Sequence, residues 1–374
     1  MSEIDLIKLR KELHHNPELS GQESETAKKI IKELKKCKPD KLLTQIGGSG
    51  IAAKFSSGTD SPGSILFRAE LDAIAVREET DLKYSSKNRG VMHGCGHDGH
   101  MTILLGVAKK LSEQKPVNKD VWLLFQPAEE TGEGAQWMLD DEKFDVVQPD
   151  MAYALHNLPG YPENQIVVKS GVFAAASTGV QVKFKGKSSH AAYPEQGMNP
   201  ARQISELVQF ADAEFGSFKS KSSINKIVTT YINLGERAFG INPGEGEVGF
   251  TIRSSSDEEL DIAVKKLREK VQLLQEQFNG EISFDLVEPF AATVNDSKGV
   301  ENVITAAEKC GLSINQLDKP FPWSEDFGAF GEKFPITLFG LGSGEAHPPL
   351  HSEMYDFNDK LIKTGGEMFL ELID

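Results

Sequence analysis

Four metal-binding side chains crowd into one short stretch: His93, Cys95, His97 and His100 in VMHGCGHDGHM, residues 91–101. The whole chain has nine histidines and three cysteines, so a third of that stock sits here. A thiolate and imidazoles, joined by carboxylates, suit zinc or a similar divalent ion such as manganese, cobalt or nickel. The spacing does not fit a structural zinc finger, which needs two paired ligand sets. The remaining donors must come from elsewhere in the chain. Glu129 and Glu130 follow an apolar run in DVWLLFQPAEE, His156 ends DMAYALH, and His351 comes soon after FPITLFGLGSG. Cys95, His97, Glu130, His156 and His351 then make five candidate ligands. That is more than one closed tetrahedral site uses and enough for two ions sharing ligands. Side chains of adjacent residues point differently, so one of Glu129 and Glu130 can bind metal while the other holds a proton. A carboxylate beside a metal-activated water acts as general base, and the metal brings that water's pKa toward ~7. The chemistry predicted is hydrolysis of an amide or ester.

The elements that must position these residues are short apolar runs ending in polar clusters. SILFRAELDA (64–73), DVWLLFQPAEE (120–130), DMAYALHN (150–157) and FPITLFGLGSG (334–344) are each of strand length and apolar enough for burial on both faces. Met101, Leu104, Leu105, Ala108 and Leu111 fall on one helical face after the metal-binding run. Strands alternating with helices predict an α/β domain with a mostly parallel sheet and helices on both faces. Ligands in such sheets sit beyond the carboxyl ends of the strands, which is where the candidates lie. Helix over 4–36 should break near Pro17, with SGQESETAKKIIKEL restarting on a polar cap.

The middle of the chain reads differently. TGVQVKFKGKS, KIVTTYINLG, EVGFTIRSS and EISFDLVEPF read as strands, with helices over PARQISELVQFADAEF and 257–278. The order β-α-β-β-α-β is that of a ferredoxin-like sandwich. It predicts an inserted domain at 178–288, with a catalytic domain formed by 1–177 and 289–374.

Composition narrows the function classes. The net charge of -15 argues against nucleic acid and anionic membrane as partners. The N-terminus lacks a signal-peptide pattern and no window is long and apolar enough to span a membrane. Cys37, Cys95 and Cys310 make no disulfide framework. The reading is a reduced, acidic, cytoplasmic protein.

CGHDGHM, FQPAEETGEGA, ALHNLPG and LHSEMYDFND together resemble the M20 metallopeptidase family in its amidohydrolase branch, which includes hippurate hydrolases, aminoacylases and N-acyl-amino-acid deacylases. LRKELHHNPELSGQESETA, FRAELDAIAVREE, GKSSHAAYPEQGMNPA and SEDFGAF extend the resemblance, in order, over nearly the whole chain. The resemblance implies that Cys95, His97, Glu130, His156 and His351 bind the metal ions and that Glu129 is the general base and acid. It implies that the inserted domain is a lid through which the chain dimerises. There His190 would stabilise the oxyanion, and Asn242 and Arg253 would hold the substrate, Arg253 as a fork for a carboxylate. The substrate class implied is a small N-acyl amino acid. Alternatives are a dipeptidase or carboxypeptidase of the same fold, a catalytically silent metal-binding fold-mate, and a hydrolase using Cys95 as nucleophile. The paired acids favour a hydrolase over a silent binder, and a metal-bound thiolate is a poor nucleophile.

Neighbouring residues read more plainly. His93 and His100 should support the ligands rather than add to them. Asp98 reads as such a neighbour or as a helix cap. Glu70 reads as a strand-end acid, and Asp72 has a supporting role beside the metal centre in the resemblance. His347 is a weaker candidate than His351. His14 and His15, in a polar helical stretch, should face solvent.

Overall fold

The structure, a computed structural model, describes residues 3–59, 63–215 and 225–373. It divides into two compact units: residues 1–173 with 293–319 and 325–374, and residues 174–292 with 320–324. The second unit thus takes in a segment, Pro320–Ser324, that the strand pattern assigned to the first. The backbone N–H of Ala175 donates to the carbonyls of Phe321 and Trp323 and anchors it there; PFPWS carries no periodic signal that could have announced this.

The first unit is built on one eight-stranded sheet. Its order is Lys41–Ile46, Gly50–Phe55, Lys119–Gln126, Gly63–Glu70, Met151–Pro159, Ile336–Gly344, Ile166–Val168, Ile314–Gln316. The four central strands, Lys119–Gln126 through Ile336–Gly344, run parallel. Antiparallel pairings flank them on both sides. Parallel central strands are covered on both faces, which is why they read as continuous apolar runs rather than alternating ones. Alternate residues Ile65, Phe67, Ala69, Leu123 and Phe125 join one core with the helices Glu3–His14, Ser24–Cys37, His97–Glu113, Ser297–Lys309 and Leu361–Ile373. The intervening Leu66, Leu124, Ala152 and Leu338 are also fully buried. On that other side the short helix Gly134–Leu139 contacts the Lys119–Gln126 strand. The first two helices flank Pro17, where the sequence predicts a break.

The second unit has a four-stranded antiparallel sheet in the order Lys226–Leu234, Glu245–Ser254, Ala176–Lys185, Glu281–Phe290. With helices Ala201–Phe215 and Asp257–Glu276, the chain order is β-α-β-β-α-β, as the sequence pattern predicts. Ser256 caps the second helix by accepting the Glu259 N–H at 3.2 Å, and Leu260, Ala263, Leu267, Val271 and Leu274 form its buried stripe. Ser189–His190 pairs with Ile241–Asn242 in a separate short ribbon. The edge strand Lys226–Leu234 is exposed along nearly its whole length. No helix among the described residues is long and apolar enough to cross a membrane.

Candidate metal centre

The loop into the helix His97–Glu113 turns at Gly96, in the left-handed region at φ +93°. A Cβ there would lie 2.5 Å from Asn157 Oδ1 and 2.8 Å from the Tyr355 hydroxyl, so only glycine lets the backbone close on these groups. Cys95 is therefore the end of the loop and His97 the start of the helix. His97 and His100 lie one turn apart on one helical face.

Two of the imidazoles are preset to bind metal. His97 Nδ1 donates to the Asp72 carbonyl at 2.9 Å, leaving the lone pair on Nε2, which is buried and without a protein partner. His156 Nδ1 donates to the Asn157 carbonyl at 2.9 Å, and its Nε2 lies 3.4 Å from Cys95 Sγ. A backbone acceptor behind an imidazole fixes the metal-binding tautomer in this way. His351 Nε2 is 3.6 Å from Glu130 Oε2, and His97 Nε2 is 3.8 Å from Glu129 Oε2 and from Glu130 Oε1. The donor atoms of Cys95, His97 and His156 all lie within 4.8 Å of one another. The same holds for Cys95, Glu130 and His351, and for His97, Glu129 and Glu130. These groups overlap through Cys95, His97 and Glu130. The structure thus brings together all five sequence-predicted ligands and Glu129.

The charges crowd one another. Burial pushes the Cys95 thiol well above its usual range, and Glu130 and Glu129 push further. Burial, then Glu325 and Glu130, raise Glu129 well above the ordinary carboxylate value. Burial raises Glu130 to about 7 against the pull of His97. Burial would lower His97, but Glu70, Asp72 and Glu130 outweigh it and raise it to about 10. A divalent cation is the partner that would let a buried thiol and these carboxylates ionise together. The donor set and the orphaned buried atoms, His97 Nε2 and Glu130 Oε1, fit one.

Behind the donors lies a buried polar network that the sequence reading largely missed. His100 uses both ring nitrogens, Nδ1 with Glu70 Oε2 at 2.7 Å and Nε2 with Asn157 Oδ1 at 2.6 Å, as a supporting residue would, and its donors also lie close to those of Glu70 and His97. Glu70 is therefore no plain strand-end acid. It pairs with Arg68, which also donates to Gln126 at 2.8 Å, Glu325 at 2.9 Å and Asp326 at 2.6 Å. Arg68, Glu70, Glu325 and Asp326 are all buried. A lone arginine inside SILFRAEL was the available signal, since a charge in a strand buried on both faces must be paired. Asp72 Oδ2 accepts from Ser20 Oγ at 2.7 Å and from the Glu130 N–H at 2.9 Å.

Other expectations are corrected. His14 does not face solvent. It is fully buried, with Nδ1 2.9 Å from Asp98 Oδ2 and Nε2 3.3 Å from Glu78. His15 Nδ1 lies 2.7 Å from the Ser85 carbonyl. The burial of His14 follows from what its helix packs against. Arg10 and His14, four residues apart, share a face that meets the Asp98, Asp356 and Asp359 carboxylates. Asp98 is not the cap of its helix; Gly96 holds that place, and Asp98 serves Arg10 and His14. His93 is buried with neither ring nitrogen partnered, and it lies outside the donor groups. His347 also lies outside them, its ring against Tyr355.

His190, Asn242 and Arg253 belong to the second unit. His190 is exposed, and its Nδ1 accepts the Ala192 N–H at 3.0 Å, which leaves Nε2 as a donor. The Asn242 amide is engaged at both ends, with Nδ2 donating to Ser189 Oγ at 3.0 Å and Oδ1 accepting from Asn199 at 2.8 Å. Arg253 donates to the Pro322 carbonyl and to Ser324 Oγ, both at 3.1 Å.

Residues 66–374 match peptidase family M20/M25/M40. The chain belongs to this family. It is, with it, a metal-dependent amide hydrolase. An N-acetyldiaminopimelate deacetylase from Enterococcus faecalis is 32% identical over 99% of this chain and 98% of its own. One from Lactobacillus acidophilus is 31% identical over 98% and 96%. Among solved structures, a dinuclear metal-binding M20 peptidase from Bacillus subtilis has a TM-score of 0.81 at 24% identity, covering 99% of this chain and 97% of that one. An aminobenzoyl-glutamate utilization protein from Klebsiella pneumoniae has a TM-score of 0.75 at 17% identity, over 99% and 95%.

Proposed function

We propose that this M20 hydrolase removes the acyl group from N-acyl amino acids, with Cys95, His97, Glu130, His156 and His351 holding two divalent ions and Glu129 moving the proton. The observation that carries it is the overlap of Cys95–His97–His156 with Cys95–Glu130–His351, two donor groups that share a thiol. The deacetylase relatives support the acyl amino acid as substrate. When bound, the ions supply Lewis acidity, polarising the amide carbonyl and acidifying water. Glu129 takes a proton from the attacking water and returns it to the departing nitrogen as the C–N bond breaks, giving a carboxylic acid and an amine. Its burial beside Glu325 and Glu130, which raises its affinity for protons, suits it to hold that proton between the two steps. His190, with Nε2 as donor, stabilises the oxyanion, and Arg253 meets the substrate carboxylate. Asn242 steadies the ribbon that carries His190 through its bond to Ser189. The exposed edge strand Lys226–Leu234 supports association of two copies through this unit.

A panel of N-acetyl, N-benzoyl and N-succinyl amino acids and dipeptides, assayed with added zinc, manganese, cobalt or nickel, tests the reading. Turnover of N-acyl amino acids, lost with chelator and restored by metal, is expected. Turnover confined to dipeptides would replace the substrate assignment.

A further inference from the structure

We propose that Glu23 is a positioning residue for the general base: its carboxylate holds the backbone of Ala128 in the turn that aims Glu129 and Glu130. The proposal rests on the assignment of Glu129 as base. In the sequence Glu23 reads as part of the polar start of a helix. It does stand at the N-cap of Ser24–Cys37, yet its side chain makes no cap bond. Instead Oε1 accepts the Gly21 N–H at 2.7 Å and the Ala128 N–H at 2.9 Å, across 105 residues of chain, and the residue is fully buried.

Ala128 needs such a hold. Its φ is +50°, a left-handed conformation that a residue with a Cβ adopts only when its surroundings impose it. Ala128 immediately precedes the two glutamates, so its φ sets the direction in which both leave the Lys119–Gln126 strand. Several hydrogen bonds fix the turn, among them the Thr131 hydroxyl to the Ala128 carbonyl at 3.3 Å and the Gly132 N–H to the Glu129 carbonyl at 2.8 Å. Glu23 takes the Ala128 N–H, the Ala128 carbonyl accepts the Gly134 N–H at 3.1 Å, and Asp72 takes the Glu130 N–H at 2.9 Å. Position 134 admits only glycine, since a Cβ there would lie 1.6 Å from the Pro127 carbonyl oxygen. Glu23 is the side chain that takes the N–H of Ala128 itself, and it bonds neither a proposed ligand nor the base. A base works only within hydrogen-bond reach of its proton, and a misplacement of about 1 Å costs roughly a hundredfold. Releasing Ala128 therefore acts on turnover through the aim of Glu129.

The test compares Glu23→Ala and Glu23→Gln as metal-loaded full chains, with kcat expressed per metal-loaded site. Glu23→Ala is expected to lower kcat by about 10- to 100-fold with KM within about twofold of the parent, and, because Asp72 still holds the Glu130 N–H, with bound zinc per chain within about twofold as well. Glu23→Gln keeps a carbonyl oxygen as acceptor and is expected to return kcat to within about threefold of the parent. A Glu23→Ala kcat within about twofold of the parent overturns the proposal, as does an equal loss in Glu23→Gln or a loss that tracks missing metal. A purely structural role would reduce folded protein and leave kcat per loaded site unchanged. If Glu23→Ala does not fold, Glu23→Asp carries the test by the same criteria, because it keeps the charge but is one methylene too short to span both N–H groups. Glu129→Gln separates the two readings. If it turns over normally the base assignment fails; if it is inactive while Glu23→Ala is not, the present proposal alone fails.

Discussion

In the first unit, His97 and His156 are each backed by a backbone carbonyl, and His100 is spent at both nitrogens on Glu70 and Asn157. In the second unit, His190 stands exposed on a two-residue strand, steadied by one N–H from Ala192. The difference follows from the work assigned to each. A donor whose tautomer and direction are set beforehand holds an ion better, and on the proposed roles the buried hydrogen bonds of His97 and His156 do that work. A donor that meets a substrate must stay reachable, so burial would defeat it. On the proposed roles, metal retention should depend on the first unit and turnover on residues of both.

The sharpest way to break that division is at the shared thiol. Cys95→Ala should lose bound metal and, with it, essentially all turnover; metal analysis showing full occupancy would remove Cys95 from the ligand set. His190→Ala should leave metal content unchanged and lower kcat by about 10²- to 10³-fold, as loss of an oxyanion donor does. A variant that loses metal as well would join the two regions that the comparison separates. The smallest effect concerns the network behind the donors. Burial opposes a charge on His14, but hydrogen bonds to Asp98 and Glu78 prevail and raise it to about 9. A folded-state value above the ordinary 6.5 means that this stabilisation is fully present below about pH 6.5 and is lost as pH rises through about 9. His14→Gln should lower Tm by about 2–4 °C at pH 6, and the gap should close by pH 10. A gap that widens with pH would contradict the assignment.

The parts legible in the sequence are those with local signals. Continuous apolar runs declared the buried parallel strands, and alternation declared the half-exposed strands of the inserted unit. The donor cluster was legible because the run around Cys95 opens a helix and the Glu129–Glu130 pair follows the end of such a segment. The supports were not legible, because their partners are remote. Arg10 reaches Asp356 across 346 residues and Arg68 reaches Asp326 across 258. Periodicity places Arg10 and His14 on one face of their helix but does not reveal that this face meets four carboxylates, Glu78, Asp98, Asp356 and Asp359. Glu23 had the sequence context of a cap and the geometry of a brace, a distinction that only the position of Ala128 decides.

The central claim is that the cluster of Cys95, His97, Glu130, His156 and His351 holds metal while Glu129 moves the proton, and Glu129→Gln tests it most directly. The account predicts bound metal per chain equal to the parent, with turnover of an N-acyl amino acid reduced by about 10²- to 10⁴-fold. Parental turnover in that variant, measured at full metal occupancy, would contradict it.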